Sequence, residues 1–232
     1  MTASLYFSRA RLRRDASVAA LLPLLGFGGA RKKVRPDASH ALVWSLFADG
    51  PERRRDFLYR ESEAGRLYIL SARPPEDRHA LFELDCKPYA LNLLSGDRLA
   101  FSLRANPVVR RKSEDGKNAA KHDVVMDALH SIGSGPERAE QRSALIRRQG
   151  LAWLQRVGAR SGFTPIEERL AVDGYRQHRL PRPDDQKDIK FSTLDFDGLL
   201  TVGEPERFAA AVAAGFGAAR AFGCGLMLLR RG

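Results

Sequence analysis

The sequence is poor in the residues that build metal sites and disulfide frameworks. Its two cysteines, Cys86 and Cys224, lie far apart and form no Cys-x-x-Cys pattern, which excludes a disulfide-rich scaffold and a zinc ribbon. None of the five histidines has the spacing of a metal-ligand pair; they are His40, His79, His122, His130 and His178. No Gly-x-Ser-x-Gly motif is present. If the protein is an enzyme, the sequence therefore predicts that it works without a metal or another cofactor.

Long apolar runs are also missing. The apolar stretch through residues 18–27 is too short to span a bilayer and contains Pro23. Arg9, Arg11, Arg13 and Arg14 are not followed by the apolar core and cleavage site of a signal peptide. The expected protein is soluble and cytoplasmic, with no membrane as a partner.

Positive charge, by contrast, is abundant. The 232 residues include 39 Lys and Arg against 28 Asp and Glu, which gives a formal net charge of +11. Residues 1–60 carry 12 of the basic and 5 of the acidic residues, so this quarter of the chain holds +7 of the excess. Such a protein is attracted to polyanions, and nucleic acid is the commonest of them. For any single cluster, a solvated basic face is the alternative interpretation.

Hydrophobic periodicity predicts two small α+β halves. In the first half, a strand at residues 5–7 precedes a helix from Pro36, capped by Asp37, and strands at 57–59 and 67–71 follow. The alternation through Leu99 and Leu103 indicates a last strand, which Asn106-Pro107 ends. Helical patterns and two strands, at residues 166–177 and 190–201, make up the second half, before a helix that begins at Pro205. Residues 20–35 are interpreted as an inserted loop.

Two Gly-x-Gly pairs close the sequence, Gly215-Phe216-Gly217 and Gly223-Cys224-Gly225. A dinucleotide-binding Gly-x-Gly-x-x-Gly is excluded because Arg220 stands at the third glycine position, and a P-loop is excluded because Leu226 follows Gly225. Glycine allows a backbone or a phosphate to approach closely. The segment is therefore predicted either to pack against a last strand or to bring its backbone and Arg220 close to a nucleic acid.

Cleavage of RNA is one reaction that suits such a chain. The ribose 2′-hydroxyl attacks the adjacent phosphodiester when a general base, a general acid and a cation are in place. His40 is the best candidate for the acid or base. It lies about a quarter turn from the centre of an apolar helix face, at ~100° per residue, so its ring is expected at the edge of a cleft. A histidine satisfied by a backbone carbonyl is the alternative, and His122 and His178 are further candidates.

Several basic segments are candidate RNA contacts. Arg176, Arg179 and Arg182 belong to an arginine-rich, proline-bounded segment that would suit a hairpin gripping an RNA backbone. Arg147, Arg148 and Arg156 form a basic stripe on a predicted helix. Lys117 and Lys121 lie in a basic loop.

Five segments together resemble the CRISPR-associated CasE endoribonucleases, also called Cse3, of type I-E systems. The matching residues include Leu42-Val43-Trp44-Ser45-Leu46-Phe47, Arg55-Asp56-Phe57-Leu58-Tyr59-Arg60, Leu103-Arg104-Ala105-Asn106-Pro107, Ala152-Trp153-Leu154 and Phe196-Asp197-Gly198-Leu199-Leu200. The closing segment from Gly215 to Leu226 resembles the family's glycine-rich loop. Arg-Ala-Asn-Pro followed by that loop, in this order and spacing, is specific to the family.

The resemblance implies two tandem ferredoxin-like (RRM-like) domains of the α+β class with antiparallel sheets. The expected divisions are an amino-terminal domain at 1–108, a basic linker at 109–120 and a carboxyl-terminal domain at 121–232. The implied activity is metal-independent cleavage of the CRISPR precursor transcript at the base of each repeat hairpin. The implied partners are the repeat hairpin, the mature guide RNA and the other Cascade subunits.

The resemblance also implies site residues. The family's catalytic histidine corresponds to His40. Asp37 stands where members often carry a tyrosine, so Tyr6, Lys190 and Arg176 are the candidate partners of His40. Arg104, Arg220 and the glycines Gly215, Gly217, Gly223 and Gly225 are predicted RNA contacts. Two alternatives stay open: a non-catalytic subunit that only holds guide RNA, and a general basic RNA-binding protein.

Overall fold

The computed structural model describes residues 5–13, 15, 36–47, 55–63, 65–111, 120–130, 136–180 and 188–231. The chain forms two compact units. The first unit comprises Met1–Asn92 and Arg220–Leu226, and the second comprises Leu93–Ala219 and Met227–Gly232.

The first unit is a four-stranded antiparallel sheet with one helix. Its elements are β1 (Leu5–Leu12), α1 (Pro36–Ser45), β2 (Phe57–Glu63), β3 (Arg66–Ser71) and β4 (Phe82–Tyr89). The strand order is β2-β3-β1-β4, which is the order of a ferredoxin-like sheet. Residues 72–81 connect β3 to β4 as a loop, where that fold commonly has a second helix. This loop includes Pro74 and Pro75, and proline disfavours a helix both at its own position and at the residue before it.

One face of the first sheet packs against α1 to form the core of this unit. Alternation along β1 places Ser8, Ala10 and Leu12 on the buried face. The apolar face of α1 and the turn after it presents Val43 and Phe47, both almost fully buried. Burial of each such side chain stabilises the fold by about 1.5–3 kcal/mol. This packing fixes the rotation of α1 and therefore the direction in which His40 projects.

The second unit has the complete β-α-β-β-α-β order of a ferredoxin-like fold, with two additional strands and one additional helix after its first strand. Its elements are β5 (Arg98–Ala105), β6 (Val108–Arg111), β7 (Ala120–Asp123), α2 (Val124–His130), α3 (Pro136–Ser161), β8 (Phe163–Leu180), β9 (Ile189–Val202), α4 (Pro205–Ala214) and β10 (Met227–Arg231). Strands β10-β5-β9-β8 form one antiparallel sheet in this order, and β6 pairs with β7. The predicted α+β class with two ferredoxin-like, antiparallel sheets is confirmed.

Two expectations about organisation differ from the structure. The sequence pattern predicts that the strand through Leu99 and Leu103 belongs to the amino-terminal half, but β5 pairs with β9 and β10 in the second sheet. Alternation identifies a strand and its buried face, but it does not show which other strands pair with it. The two ends of the expected linker at 109–120 are β-strands, since Val109 pairs with His122 and Arg111 with Ala120. The division into separately folding domains at residues 108 and 120 stays a prediction.

A polar cluster ties β7, β8 and β9 together in the second unit. The Asp123 carboxylate accepts hydrogen bonds from the backbone N–H groups of Val125 and Met126, at 2.9 and 2.7 Å, and so caps α2. It also accepts the Tyr175 hydroxyl at 3.0 Å and the hydroxyl of Ser192. Burial and the Asp123 charge raise the pKa of Tyr175, which favours the protonated phenol that donates to Asp123.

Candidate active site

His40 lies on α1 in the first unit, with its ring partly buried. The preceding residue helps to fix the helix to the sheet, because the buried Ser39 hydroxyl donates to the Glu61 carboxylate of β2 at 2.7 Å. That carboxylate also accepts the backbone N–H of Gly65 at 3.1 Å. The helix edge that carries His40 is therefore held against β2.

Three aromatic rings surround the His40 imidazole. Tyr59 of β2 lies nearly parallel to it, with ring centroids 6.5 Å apart and an interplanar angle of 17°. Phe222 approaches at 6.4 Å, in a 3₁₀ turn (Arg220–Phe222). Trp44, one helical turn along α1, approaches at 6.1 Å in an edge-on arrangement, and its indole N–H donates to His40 Nε2 at 2.8 Å. The imidazole is thus oriented by α1, by β2 and by the carboxyl-terminal glycine segment.

The electrostatic surroundings of His40 are positive. Partial burial lowers the pKa of the imidazole, and the charge of Arg55 lowers it further. Burial also lowers the pKa of the Arg220 guanidinium, again with a contribution from Arg55. The charge of Arg55 thus disfavours the charged forms of both His40 and Arg220. A site with such unfavourable positive charge is expected where an anion is to bind.

Tyr59 holds the second glycine pair in place. Its ring is almost fully buried and its hydroxyl donates to the Ala221 carbonyl at 2.9 Å. Gly223 has a φ of 76°, and a Cβ built there would lie 3.3 Å from the Tyr59 ring. Glycine is therefore favoured at this position both by its backbone conformation and by the close approach of the tyrosine.

The first glycine pair has a different neighbour, within the second unit. Gly215 ends α4 with a φ of 80°, and Gly217 has a φ of 77°. A Cβ on Gly217 would lie 2.8 Å from the Asn106 carbonyl oxygen and 3.3 Å from the Trp153 ring. The same carbonyl accepts the backbone N–H of Ala218 at 3.2 Å. The Arg-Ala-Asn-Pro motif and the glycine loop are thus in direct contact.

Two of the three candidate partners of His40 belong to the other unit. Tyr6 lies on β1 of the first unit, opposite Ser71 of β3. Lys190 on β9 and Arg176 on β8 belong to the second unit, and both are exposed. The side chain of Asp37 lies outside the described residues. The partner of His40 in proton transfer stays a prediction.

The predicted RNA contacts differ in exposure: six of them are exposed, whereas Gly215, Gly223 and Gly225 are buried. Exposed side chains are those of Lys121 on β7, of Arg147, Arg148 and Arg156 on α3, and of Arg176 and Arg179 on β8. Arg179 pairs with Asp188, and the partly buried Arg104 forms two hydrogen bonds with Asp195, at 2.7 and 2.8 Å. Lys117 and Arg182 lie outside the described residues.

The other two candidate histidines, His122 and His178, lie on strands of the second unit. His122 is exposed on β7. His178 on β8 stacks on Phe191, with centroids 4.7 Å apart, and lies 3.0 Å from the Thr193 hydroxyl. Burial lowers the pKa of His178, with smaller contributions from Arg104 and Arg176. These contacts fit a ring that packs within the β8–β9 hairpin.

The described part of the chain has neither a cluster of metal ligands nor a helix suited to crossing a membrane. No group of three or more His, Cys, Asp or Glu side chains there could hold a metal ion. None of the helices resolved in these ranges is both long enough and apolar enough to cross a membrane.

Comparison with known proteins identifies the family. A family model described as "CRISPR associated protein" matches residues 5–231. The chain belongs to this family. Its sequence is 27% identical over 203 residues to the "CRISPR system Cascade subunit CasE" of Escherichia coli K12, a match that covers 82% of this chain and 89% of the relative. The predicted resemblance to the CasE/Cse3 group of CRISPR-associated proteins is confirmed.

Solved structures of CRISPR-associated proteins share the fold. One is a CRISPR endoribonuclease Cse3 bound to 19 nt RNA, with a TM-score of 0.67 and 18% identity, covering 99% of this chain and 100% of that one. Another is Thermus thermophilus Cse3 bound to an RNA representing a pre-cleavage complex. Its TM-score is 0.66 at 19% identity, and the match covers 98% of this chain and 99% of that one.

The structure adds three aromatic residues around His40 that sequence reasoning did not assign to the site of this CRISPR-associated protein: Trp44, Tyr59 and Phe222. Trp44 lies four residues after His40, a spacing that brings side chains together on a helix, so this contact was open to prediction. Tyr59 was visible only as part of a strand. Its position beneath the imidazole depends on how β2 packs against α1, which no local pattern reports.

Proposed function

We propose that this protein is a metal-independent endoribonuclease that cleaves CRISPR precursor RNA within its repeats, at the base of the hairpin. It then stays bound to the mature guide RNA as a subunit of the Cascade complex. The observation that carries the proposal is the position of His40, a partly buried imidazole that feels the charge of Arg55 and contacts Phe222 of the 3₁₀ turn that begins at Arg220. Membership of the CRISPR-associated family, with relatives named as a Cascade subunit and as a CRISPR endoribonuclease, supports the choice of RNA.

The reaction needs only proton transfer and charge stabilisation. A base takes the proton of the ribose 2′-hydroxyl, and the 2′-oxygen bonds to the adjacent phosphorus. The bond from phosphorus to the 5′-oxygen breaks, and that oxygen takes a proton from an acid. The products are a 2′,3′-cyclic phosphate and a free 5′-hydroxyl. Cations beside the phosphate stabilise the charge that develops in the transition state.

His40 suits the role of general base. Its ordinary pKa of 6.5 is lowered by burial and by Arg55, so the ring is neutral near pH 7. A neutral imidazole can accept a proton, whereas an imidazolium cannot. Cleavage is therefore expected to increase as the pH rises through the lowered pKa of His40.

Arg55 and Arg220 suit the role of the phosphate-binding cations. Placing a phosphate near both guanidiniums would offset the repulsion between them, and hydrogen bonds from arginine to phosphate are among the stronger ones in proteins. The β8–β9 hairpin suits the hold on the RNA stem, because Arg176 and Arg179 are exposed on β8 and Lys190 is exposed on β9, opposite Arg179. Such contacts position an RNA helix through its backbone.

A non-catalytic guide-RNA-binding subunit is the second candidate. One observation favours it: the Nε2 atom of His40 already accepts the indole N–H of Trp44. A base whose lone pair is occupied cannot accept a proton until that hydrogen bond breaks.

Incubation with the repeat RNA of the source genome, in excess EDTA, separates the two candidates. The enzyme predicts cleavage at a single site, with a cyclic phosphate on the upstream product. A 2′-deoxy substitution at the nucleotide before the cut removes the attacking group and should abolish cleavage while binding persists. Tight binding without cleavage would leave the non-catalytic subunit. A requirement for Mg²⁺, or cleavage of the 2′-deoxy RNA, would contradict the mechanism.

A further inference from the structure

His40 and Trp44 form a hydrogen-bonded pair of aromatic side chains on α1. The indole Nε1 atom of Trp44 lies 2.8 Å from His40 Nε2, and the rings meet edge-on at 75°. An indole N–H can only donate, so Nε2 must supply a lone pair. A neutral imidazole carries one proton, which this contact assigns to Nδ1. Of the residues that the structure describes, none forms a hydrogen bond with Nδ1.

Both rings are fixed by packing rather than by this hydrogen bond alone. Trp44 meets the Phe57 ring edge-on, with centroids 5.1 Å apart and an interplanar angle of 79°. His40 lies between Tyr59 and Phe222, at 6.5 and 6.4 Å. The indole is therefore held in position by the core of the first unit, and the imidazole is held by the two rings beside it.

We propose that Trp44 is a positioning residue that keeps His40 as the neutral Nδ1–H tautomer and covers the Nε2 lone pair in the free protein. The catalytic role of this pair rests on the proposed function, whereas the hydrogen bond between Trp44 and His40 does not depend on it. Nδ1–H can donate a hydrogen bond to a phosphate oxygen without rearrangement. The 2′-hydroxyl, by contrast, must displace the indole N–H before Nε2 can take its proton.

The charge of Arg55 acts in the same direction as Trp44. Arg55 precedes β2, and it lowers the pKa of His40 and also that of Arg220, in the 3₁₀ turn that carries Phe222. Arg55 and Trp44 thus both disfavour an imidazolium. Glu61 on β2 could oppose them, but its carboxylate accepts the Ser39 hydroxyl and the Gly65 N–H. Tyr59 donates its hydroxyl to the Ala221 carbonyl. The indole N–H is thus the group that distinguishes the two nitrogens of the ring.

Nitrogen NMR of ¹⁵N-histidine-labelled protein without RNA tests the proposal. The protonated and unprotonated ring nitrogens of a neutral imidazole resonate far apart, so the spectrum above pH 8 reports the tautomer of His40 directly. The wild-type protein should show the proton on Nδ1. Trp44→Phe keeps a ring against Phe57 but removes the N–H, so the Nε2–H tautomer should appear. The titration midpoint of His40 should rise by about 0.5–1 pH unit, the effect of losing one hydrogen bond to the neutral form.

Trp153→Phe is the matched control, because it makes the same change at a buried tryptophan of the second unit. It should leave the His40 signals unchanged. A wild-type His40 with its proton on Nε2 would overturn the proposal, even if Trp44→Phe failed to fold. So would an unaltered tautomer and midpoint in Trp44→Phe.

RNA cleavage then separates this proposal from the proposed function. If His40 shows the Nδ1–H tautomer and no RNA is cleaved, the pair exists and the enzyme proposal fails. If RNA is cleaved and the tautomer is insensitive to Trp44, the positioning role fails and the enzyme proposal stands. If both hold, Trp44→Phe should shift the acidic limb of the pH–rate profile for cleavage to higher pH, by the same number of pH units as the NMR titration midpoint of His40.

Discussion

Replacing Gly217 by alanine tests what the first glycine pair does. Gly217 has a φ of 77°, and the added Cβ would lie 2.8 Å from the Asn106 carbonyl oxygen. Gly96 offers a matched control in the same unit, because its φ is 91° but nothing lies within 4 Å of a Cβ built there. The two substitutions impose similar backbone strain and differ in the space available for the methyl group.

The expected difference follows from these distances. A left-handed conformation costs an L-residue about 1–2 kcal/mol, and both variants bear that cost. Overpacking adds about 1–3 kcal/mol in Gly217→Ala alone, because the contacting atom belongs to the backbone and cannot rotate away. For a chain of this size each kcal/mol lowers the melting temperature by roughly 2–4 °C. Gly217→Ala should therefore melt roughly 2–12 °C below Gly96→Ala.

Thermal unfolding followed by circular dichroism, with RNA binding measured at a temperature where both variants are folded, checks this prediction. Equal melting temperatures would refute the conclusion that Gly217 serves the contact with Asn106. Equal stability combined with a loss of RNA affinity in Gly217→Ala alone would instead assign the glycine to the RNA-binding surface.

Three further predictions concern charge. Arg55→Gln should raise the pKa of His40, so the acidic limb of the kcat/KM profile for cleavage should move to higher pH; a profile that stays in place would show that Arg55 does not act on His40. Asp123→Asn should lower the free energy of unfolding by about 2 kcal/mol in urea titrations, because a charged acceptor of two backbone N–H groups is lost. Arg176→Ala should weaken RNA binding and reduce the slope of log K against log salt by about one, whereas an unchanged slope would remove Arg176 from the phosphate contacts.

Local pattern predicted the helix that carries His40 and the strands that flank it. The apolar spacing of Leu42, Val43, Leu46 and Phe47 shows which helix face is buried, and the structure buries all four. The pattern also places His40 at the edge of that face, where its ring is partly buried. These features follow from residues within about two helical turns of each other, so the local sequence is enough to predict them.

The neighbours of each element could not be predicted in this way. Alternation through Leu99 and Leu103 is the same whether β5 joins the first sheet or the second. The contact of Arg220–Phe222 with α1 joins residues that are far apart in sequence, and it follows a turn with positive φ at both Gly217 and Ala219. Glycine spacing showed that something approaches closely, but only the structure identifies the Tyr59 ring and the Asn106 carbonyl as the groups that do so.

Cleavage by His40→Ala under single-turnover conditions in EDTA tests the proposed catalytic role of His40 most directly. The matched control is His79→Ala, because His79 is an exposed histidine of the same unit. His40→Ala should cleave the repeat RNA about 10²–10⁴ times more slowly than wild type while binding it with similar affinity, since general acid–base catalysis contributes that much to rate. His79→Ala should match wild type. A His40→Ala protein that binds and cleaves at the wild-type rate would contradict the assignment of His40 as the catalytic base.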